Sequence, residues 1–119
     1  MLQGALKAQL RYHVMKQNGT ERPFTGEYDK HFERGTYNCA DCGIALFDSD
    51  SKFDSGCGWP AFSKELEDAN IVQIIDTSHG MKRIEVRCSH CDSHLGHLFH
   101  EARGPRYCIN SISLDFQGE

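Results

Sequence analysis

Six cysteines are the residues of this 119-residue chain whose type and spacing best suit chemistry. Four of them form two C-x2-C pairs, Cys39 with Cys42 and Cys88 with Cys91. Each pair can place two thiolates on one turn, and two such pairs complete the tetrahedral set of four sulfur ligands that zinc accepts. Because four sulfur ligands leave zinc no open position for water, the spacing predicts one structural zinc ion.

Other uses of the paired cysteines remain open at this point: an iron–sulfur centre, disulfide bonds and a thioredoxin-like dithiol. The dithiol is disfavoured because the sequence shows no βαβ rhythm and contains two such pairs rather than one. Disulfides are disfavoured because no stretch is apolar enough for a signal peptide or a membrane span. That pattern predicts a cytoplasmic protein, whose thiols stay reduced.

Cys108 lies in the strand-like stretch RYCIN, far from the paired cysteines. Side chains alternate along a strand, so Arg106, Cys108 and Asn110 share one face. The same alternation adds three apolar residues to that face: Ile112, Leu114 and Phe116. We therefore expect a core-facing strand whose first three inward positions line a polar pocket. A guanidinium two residues away lowers the pKa of a thiol, which makes Cys108 the candidate nucleophile. A buried structural cysteine is the alternative.

Cys57 lies in the glycine-rich stretch SGCGWPAF. Gly56 and Gly58 allow unusual backbone angles there, as a mobile resolving thiol would need. The alternative is a loop cysteine without a role. Trp59 follows directly, and it could either form the wall of an apolar pocket around a methyl group or belong to the core.

Three histidines follow the second cysteine pair in the stretch HLGHLFH at 94–100. Imidazoles near a thiol suggest acid–base chemistry, which we expect from His94 and His97. His100 is expected at the surface. A second metal site made by His94, His97 and His100 is the alternative, but no acidic ligand is clearly placed with them.

The elements that must position these residues are mostly strands. Apolar residues recur every fourth position from residue 2 to residue 14 and predict a short helix that stops at Asn18-Gly19. Residues 20–35 are rich in polar and turn-forming types and predict a loop. The stretches 71–75 and 82–88 flank a turn and predict a hairpin, and a third strand follows at 106–114. We expect a small, mostly β antiparallel domain with short N-terminal helices.

Length and charge limit what the chain can bind. With 119 residues and 39% hydrophobic composition, the sequence predicts one domain over residues 1–119. The net charge of -4, with acidic and basic residues interspersed, offers no basic stripe for a phosphate backbone. The charge pattern therefore disfavours nucleic acid as a partner, and the lack of an apolar span disfavours a membrane, so a small or peptidic ligand is favoured.

Several long stretches occur in a characteristic order: GTERPFTGEY at 19–28, CADCG, FDSGCGWPAF, RCSHCDSHLGHLFHE and RYCINSISL. Together they resemble the methionine-R-sulfoxide reductase B family over about residues 12–116. The chain departs from that family at His100 and Glu101, where members commonly have proline and aspartate. Glu101 therefore keeps three readings: it holds a histidine, donates a proton, or is a solvated carboxylate.

The resemblance implies a role for each matching position. Cys108 would be the nucleophile and Cys57 the resolving cysteine, while the four paired cysteines would hold structural zinc. Trp59 and Phe99 would bind the substrate, with Trp59 lining the methyl pocket. The other polar groups of the active site would be His94, His97, Arg106 and Asn110. The family fold implied is an antiparallel β structure of coiled sheets.

The family's activity gives these residues a chemistry. A thiolate at Cys108 would attack the partly positive sulfur of a methionine R-sulfoxide while His94 or His97 protonates the oxygen. Methionine would leave, Cys108 would keep the oxygen as a sulfenic acid, and Cys57 would close a disulfide onto it. The resemblance implies thioredoxin as the reductant of this disulfide. It also implies a monomer that repairs oxidised proteins.

A non-enzymatic, zinc-stapled module for peptide binding or chaperone work is the alternative function. It explains the paired cysteines but gives no use to Cys57 together with an arginine-flanked Cys108. A general thiol oxidoreductase that forms the Cys57–Cys108 disulfide without a sulfoxide substrate is a further alternative. Trp59 and the histidines argue against it.

Overall fold

The structure is a computed structural model that describes residues 2–119, with side chains described from residue 4 onward. Within residues 2–119 the backbone forms one α-helix, α1 (Leu2–Gln17), and nine strands. The strands are β1 (Gly35–Cys39), β2 (Ala45–Asp48), β3 (Lys52–Phe53), β4 (Ala61–Phe62), β5 (Val72–Asp76), β6 (Arg83–Arg87), β7 (His94–Glu101), β8 (Gly104–Ile109) and β9 (Leu114–Gly118). No helix in this part of the chain is both long and apolar enough to cross a membrane.

The strands form two antiparallel sheets. The smaller sheet has the order β2-β1-β9 and the larger one has the order β3-β4-β8-β7-β6-β5. β5 and β6 form the predicted hairpin, with Val72 opposite Arg87 and Asp76 opposite Arg83. The prediction of a mostly β, antiparallel fold is confirmed. Instead of several short N-terminal helices, the described residues form the 16-residue helix α1.

Aromatic side chains join the two sheets. Phe47 from the smaller sheet stacks on Phe62 from the larger one, with ring centroids 4.2 Å apart. Tyr37 meets Phe62 edge-on at 5.2 Å. All three rings are fully buried, and each such side chain contributes roughly 1.5–3 kcal/mol to folding. The core therefore lies between the sheets, and the opposite face of the larger sheet is free to carry chemistry.

β8 places its cysteine on that outer face. Tyr107 and Ile109 are buried in the core, while Arg106 and Cys108 point the other way. The predicted alternation is right, but the prediction that the Cys108 side faces the core is wrong. The larger apolar surfaces of Tyr107 and Ile109 take the core. The strand also ends at Ile109, and a 3-10 turn at 111–113 precedes β9, so the alternation does not continue to residue 116.

Helix α1 packs through its C-terminal end. Val14 and Met15 are buried, whereas Leu6 and Leu10 are 55% and 39% exposed. The predicted apolar stripe is therefore fully buried only near its end, while Leu6 and Leu10 line an open cavity beside the loop 21–28; the side chain of Leu2 lies outside the described residues. The helix ends at Gln17, and the next residue, Asn18, takes a left-handed φ of 57°.

Candidate active site and metal centre

The two lone cysteines lie next to each other, although 51 residues separate them in the chain. Cys57 Sγ and Cys108 Sγ are 3.7 Å apart, within hydrogen-bonding distance for two sulfur atoms. Both residues are half-buried. A disulfide bond joins sulfur atoms at about 2.05 Å, so a small side-chain movement would close one.

β8 holds Cys108 between two neighbouring strands. Cys108 lies opposite Ala61 of β4 on one side and opposite His97 of β7 on the other. A Cβ atom at Gly96 would collide with the carbonyl oxygen of Cys108. The glycine in HLGH therefore lets β7 approach β8 closely, which places the His97 side chain on the same face as the thiol.

The loop that carries Cys57 is shaped by two glycines. Gly56 and Gly58 have φ values of 74° and 97°, in the left-handed region that favours glycine. Trp59 follows, and its indole Nε1 donates a hydrogen bond of 3.0 Å to the carbonyl oxygen of Glu21. The glycines thus direct the chain so that Cys57 and Trp59 both reach the face of Cys108.

A small cavity of about 90 Å³ opens above Cys108. Its walls come from the loop before β1, the Cys57 loop and β6–β8: Thr20, Trp59, Arg83, Gly96, His97, Phe99, Cys108 and Asn110. Trp59 is a half-buried cavity wall, so the reading of Trp59 as a core residue is wrong. The cavity brings together five of the predicted site residues, while Cys57, His94 and Arg106 lie outside its walls.

The hydrogen bond between the two cysteines decides which of them is ionised at rest. This bond lowers the pKa of Cys57 to about 5, although burial opposes the shift. The same bond, followed by burial and the charge of Cys57, raises the pKa of Cys108 well above its ordinary value. Arg106 lowers the pKa of Cys108, as the sequence predicts, but this smaller effect is outweighed. At rest this contact therefore favours one thiolate shared by the pair, with the negative charge towards Cys57 and the proton towards Cys108.

Arg106 is held in place by two contacts. Its Nε and Nη2 atoms donate to the two carboxylate oxygens of Glu101, each at 3.1 Å. Its guanidinium also lies over the Phe99 ring, with Cζ 4.6 Å from the centroid. The Glu101 carboxylate therefore binds an arginine. The reading in which it holds a histidine does not agree with these contacts.

His97 is the histidine inside the cavity. Its Nε2 atom lies 2.8 Å from Asp76 Oδ2, and the same oxygen lies 3.3 Å from Nη2 of Arg83. Ser78 donates two further hydrogen bonds to Asp76, and these bonds, with that of His97, hold the pKa of Asp76 far below its usual range. Asp76 is therefore a fixed negative charge that orients the His97 ring beside Cys108.

His94 lies outside the cavity and is buried. Its Nδ1 atom is 2.7 Å from Glu85 Oε2, and Arg87 binds the same carboxylate oxygen at 2.9 Å. Burial lowers the pKa of His94, although Glu85 acts in the opposite direction. The His94 and His97 rings are 5.6 Å apart but bind different carboxylates, and His100 is exposed. This arrangement does not assemble the alternative three-histidine metal site.

Asn110 is tied to the framework from two sides. Its Oδ1 atom accepts a hydrogen bond of 3.0 Å from the backbone N–H of Glu21, and its Nδ2 donates to the carbonyl oxygen of Leu95 at 3.1 Å. The sequence analysis missed Glu21 as well as Thr20, Asp76, Arg83 and Glu85. Glu21 lies in the GTERPFTGEY stretch, so that motif was the signal that could have found it.

The four paired cysteines form one cluster. Their sulfur atoms all lie within 4.8 Å of one another, with Cys39 3.7 Å from Cys91 and Cys42 3.6 Å from Cys88. A tetrahedral ion bound at about 2.3 Å requires sulfur atoms about 3.8 Å apart, so the cluster fits a metal of that type. The two C-x2-C pairs therefore meet as the spacing predicts.

Both cysteine pairs use the same turn. The N–H of the residue after the second cysteine donates to the carbonyl oxygen of the first cysteine at 2.8 Å in each pair. These residues are Gly43 and Asp92, with φ values of 84° and 61°. The four-cysteine cluster thus joins the smaller sheet, through β1, to the segment before β7 in the larger sheet.

The sequence of this chain is similar to those of known proteins. The SelR domain family matches residues 7–118. The peptide methionine sulfoxide reductase MsrB of Chromohalobacter salexigens is 56% identical over 110 residues, which cover 89% of this chain and 83% of that protein. The probable methionine-R-sulfoxide reductase B of Caenorhabditis elegans is 56% identical over 111 residues, or 89% and 73% of the two chains. The MsrB of Pseudomonas putida strain W619 is 54% identical over 110 residues, or 90% and 83%.

Proposed function

Because the chain belongs to the methionine-R-sulfoxide reductase B family, we propose that it reduces methionine R-sulfoxide in peptides and proteins, with Cys108 as nucleophile and Cys57 as resolving thiol. The protein is an oxidoreductase, and the non-enzymatic binding module is not favoured. One observation carries the residue roles: the sulfur atoms of Cys57 and Cys108 lie 3.7 Å apart at a cavity that also contains Trp59 and His97.

Substrate binding uses the walls of the cavity. The methyl group of the sulfoxide packs against the Trp59 ring, and Phe99 forms another part of the cavity wall. The sulfoxide oxygen, which carries partial negative charge, faces His97 and Asn110. This orientation presents the sulfoxide sulfur to Cys108. It supports selection of one epimer, because the methyl group and the oxygen contact different residues of the cavity wall.

The reaction begins when Cys108 becomes the thiolate. Its proton passes along the existing hydrogen bond to the Cys57 thiolate, and the charge of Arg106 then stabilises the ionised Cys108. Cys108 attacks the sulfoxide sulfur while His97, the histidine inside the cavity, protonates the oxygen. In net terms the substrate sulfur is reduced to methionine, and the Cys108 sulfur is oxidised to a sulfenic acid.

Cys57 completes the chemistry on the enzyme. Its sulfur attacks the Cys108 sulfur, a disulfide forms, and the oxygen leaves as water. An external dithiol then reduces the disulfide by exchange, and we assign this role to thioredoxin. Reducing partners of this kind and six free thiols suit the cytoplasm. We also assign a monomeric state to the protein.

We assign one zinc ion to Cys39, Cys42, Cys88 and Cys91. Four thiolates suit zinc, and a closed set of four protein ligands leaves no position for substrate, so the ion is structural. When bound, zinc supplies stability rather than redox chemistry. Its place between the two sheets supports a role in fixing β7, which carries His97.

A single-turnover experiment tests the proposed function. The reduced protein is mixed with one equivalent of a peptide containing methionine R-sulfoxide, without any reductant. We expect one methionine per chain and a Cys57–Cys108 disulfide, both measured by mass spectrometry, and no reaction with the S epimer. Absence of methionine would overturn the enzymatic reading.

Variants of the two cysteines separate their roles in the same experiment. Cys108→Ser should abolish methionine formation, because no other thiol faces the cavity. Cys57→Ser should still form one methionine per chain but should fail to cycle with thioredoxin. Equal effects of the two substitutions on both assays would contradict the assigned roles.

A further inference from the structure

Glu21 is a buried acidic residue that the mechanism above does not use. It lies in the loop 20–28, between α1 and β1, and is 3% exposed. Its Oε2 and Oε1 atoms accept hydrogen bonds of 2.9 and 2.8 Å from the backbone N–H groups of Ser111 and Ile112. These two residues begin the 3-10 turn that follows the strand of Cys108. The carboxylate thus fixes the loop to the C-terminal side of Cys108.

The backbone of Glu21 contacts two cavity walls. Its N–H donates to Asn110 Oδ1 at 3.0 Å, and its carbonyl oxygen accepts from the indole Nε1 of Trp59 at 3.0 Å. The carboxylate, the N–H and the carbonyl of one residue therefore tie together the Cys57–Trp59 loop, Asn110 and the turn after Cys108. A buried carboxylate needs this complete set of donors, because burial raises its pKa and its desolvation is costly.

We propose that Glu21 is a positioning residue that sets the distance between the Trp59 wall and Cys108, and thereby selects the methyl group of the substrate. The inference rests on the proposed function. Glu21 touches neither the substrate nor the reacting sulfur atoms; it acts through Trp59 and Asn110. If its carboxylate loses the turn at Ser111, the Trp59 ring loses its fixed acceptor and the cavity widens.

Neighbouring contacts of the loop support this role. The N–H of Phe24 donates to the carbonyl oxygen of Gly58 at 2.7 Å, and the N–H of Tyr28 donates to Ser111 Oγ at 2.9 Å. A Cβ atom at Gly58 would clash with Pro23. The loop therefore contacts the segments of both catalytic cysteines, and Glu21 is its buried anchor between them.

Glu21→Gln is the deciding variant, because it keeps the size of the side chain. Each carboxylate oxygen of Glu21 accepts one N–H, whereas glutamine offers one acceptor oxygen and one NH2 group. One backbone N–H therefore loses its acceptor. Glu21→Ala removes both acceptors. Glu27→Gln is the matched control, since Glu27 lies on the same loop, is exposed and pairs with Lys7 at 3.8 Å.

Two measurements report on the position of Trp59. The protein has one tryptophan and four tyrosines, so fluorescence excited at the red edge of the tryptophan absorption band, where tyrosine absorbs little, reports on Trp59 alone. The second measurement compares kcat/KM for methionine R-sulfoxide with blocked amino and carboxyl groups with kcat/KM for its S-ethyl analogue. The ratio of the two values reports the size of the methyl pocket. One methylene in a well-fitted pocket changes kcat/KM by about tenfold or more, so we expect at least that preference in the wild type.

For Glu21→Gln we expect a red-shifted Trp59 emission, a fall in kcat/KM for the methyl substrate of about tenfold, and a methyl preference reduced to within about threefold. Glu21→Ala should show larger changes, and Glu27→Gln should match the wild type. A folded Glu21→Gln protein with unchanged emission and an unchanged ratio would overturn the inference, even if its activity fell. If Glu21→Gln fails to fold, Glu21 serves stability, and this result overturns the inference as well.

Failure of the proposed function gives a different result. In that case the wild-type protein itself forms no methionine from the blocked R-sulfoxide. If the wild type is active and Glu21→Gln keeps the wild-type ratio of kcat/KM for the methyl and ethyl substrates, only the positioning role is rejected.

Discussion

Cys57 and Cys108 share a 3.7 Å hydrogen bond that lowers the pKa of Cys57 and raises the pKa of Cys108. Arg106 favours a thiolate at Cys108, but the proximity of Cys57 acts more strongly in the opposite direction. In the proposed mechanism, Cys108 therefore becomes a nucleophile only after its proton passes to the Cys57 sulfur. A thiol held protonated is also less prone to oxidation without substrate.

This relationship predicts that Cys57→Ser lowers the pKa of Cys108. The substitution removes the bond and the negative charge that raise it, whereas the opposing effect of Arg106 remains. The rate of Cys108 alkylation by iodoacetamide, followed by mass spectrometry against pH, should therefore reach half its maximum at lower pH in Cys57→Ser than in the wild type. In the wild type, Cys57 should react first, with a midpoint near its pKa of about 5. An equal or higher midpoint for Cys108 in the variant would contradict the shared-proton description.

Much of this site could be predicted from local sequence. The spacing of the C-x2-C pairs predicts one four-sulfur cluster, and strand alternation places Arg106 and Cys108 on one face. The core-facing assignment failed because alternation does not say which face is buried, or that β8 ends at Ile109. The contacts of Glu21 with the turn after Cys108 could not be predicted either, since about 90 residues separate the partners in the chain.

The histidines show the same limit. In a regular strand His94 and His97 would face opposite sides, because they are three positions apart. Val86 pairs with Gly96 and Arg87 pairs with His94, so Leu95 is the extra residue of a β-bulge in β7, and the ring centroids of His94 and His97 lie 5.6 Å apart. A bulge depends on pairing with another strand, so the sequence of β7 alone left the choice between the histidines open.

We predict that His97 is the acid and that His94 is not. His97→Gln should lower kcat by about 10²-fold or more, as loss of a general acid does, because His97 is the histidine in the cavity with Cys108. His94→Gln should lower kcat by less, and mainly reduce thermal stability, since it disturbs the buried pair with Glu85. Single-turnover rates and thermal melts of both variants distinguish these effects. A larger kinetic loss in His94→Gln would reverse the assignment.

The Arg106–Glu101 pair predicts two separable effects. Arg106→Met removes the charge that lowers the pKa of Cys108, so the alkylation midpoint of Cys108 should move to higher pH. Glu101→Ala leaves that charge in place but removes both hydrogen bonds that orient it, so turnover should fall by about three- to tenfold without an upward shift of the midpoint. Glu101→Asp should restore most of the turnover. An upward shift in Glu101→Ala equal to that of Arg106→Met would show that orientation and charge cannot be separated.

The metal centre predicts a link to helix α1. Lys16 Nζ lies 2.6 Å from Asp41 Oδ2 and 2.8 Å from Ser93 Oγ, and the latter atom is 3.2 Å from Cys91 Sγ. Zinc with four thiolates carries net negative charge, which a neighbouring ammonium group offsets. The Lys16→Met protein should therefore still bind one zinc per chain. It should release that zinc to a chelator about tenfold faster than the wild type, or more.

Two further variants serve as controls for Lys16→Met. Cys39→Ser should lose both zinc and the folded structure, because metal binding supplies a large part of the folding free energy of such sites. Lys7→Met is the matched control: Lys7 lies near the other end of α1, is exposed and pairs with Glu27 far from the cysteines. Metal content by mass spectrometry and zinc release followed with a coloured chelator give the comparison. Equal release rates in Lys16→Met and Lys7→Met would show that the helix contributes packing alone, through Val14 and Met15, and no electrostatic support to the metal centre.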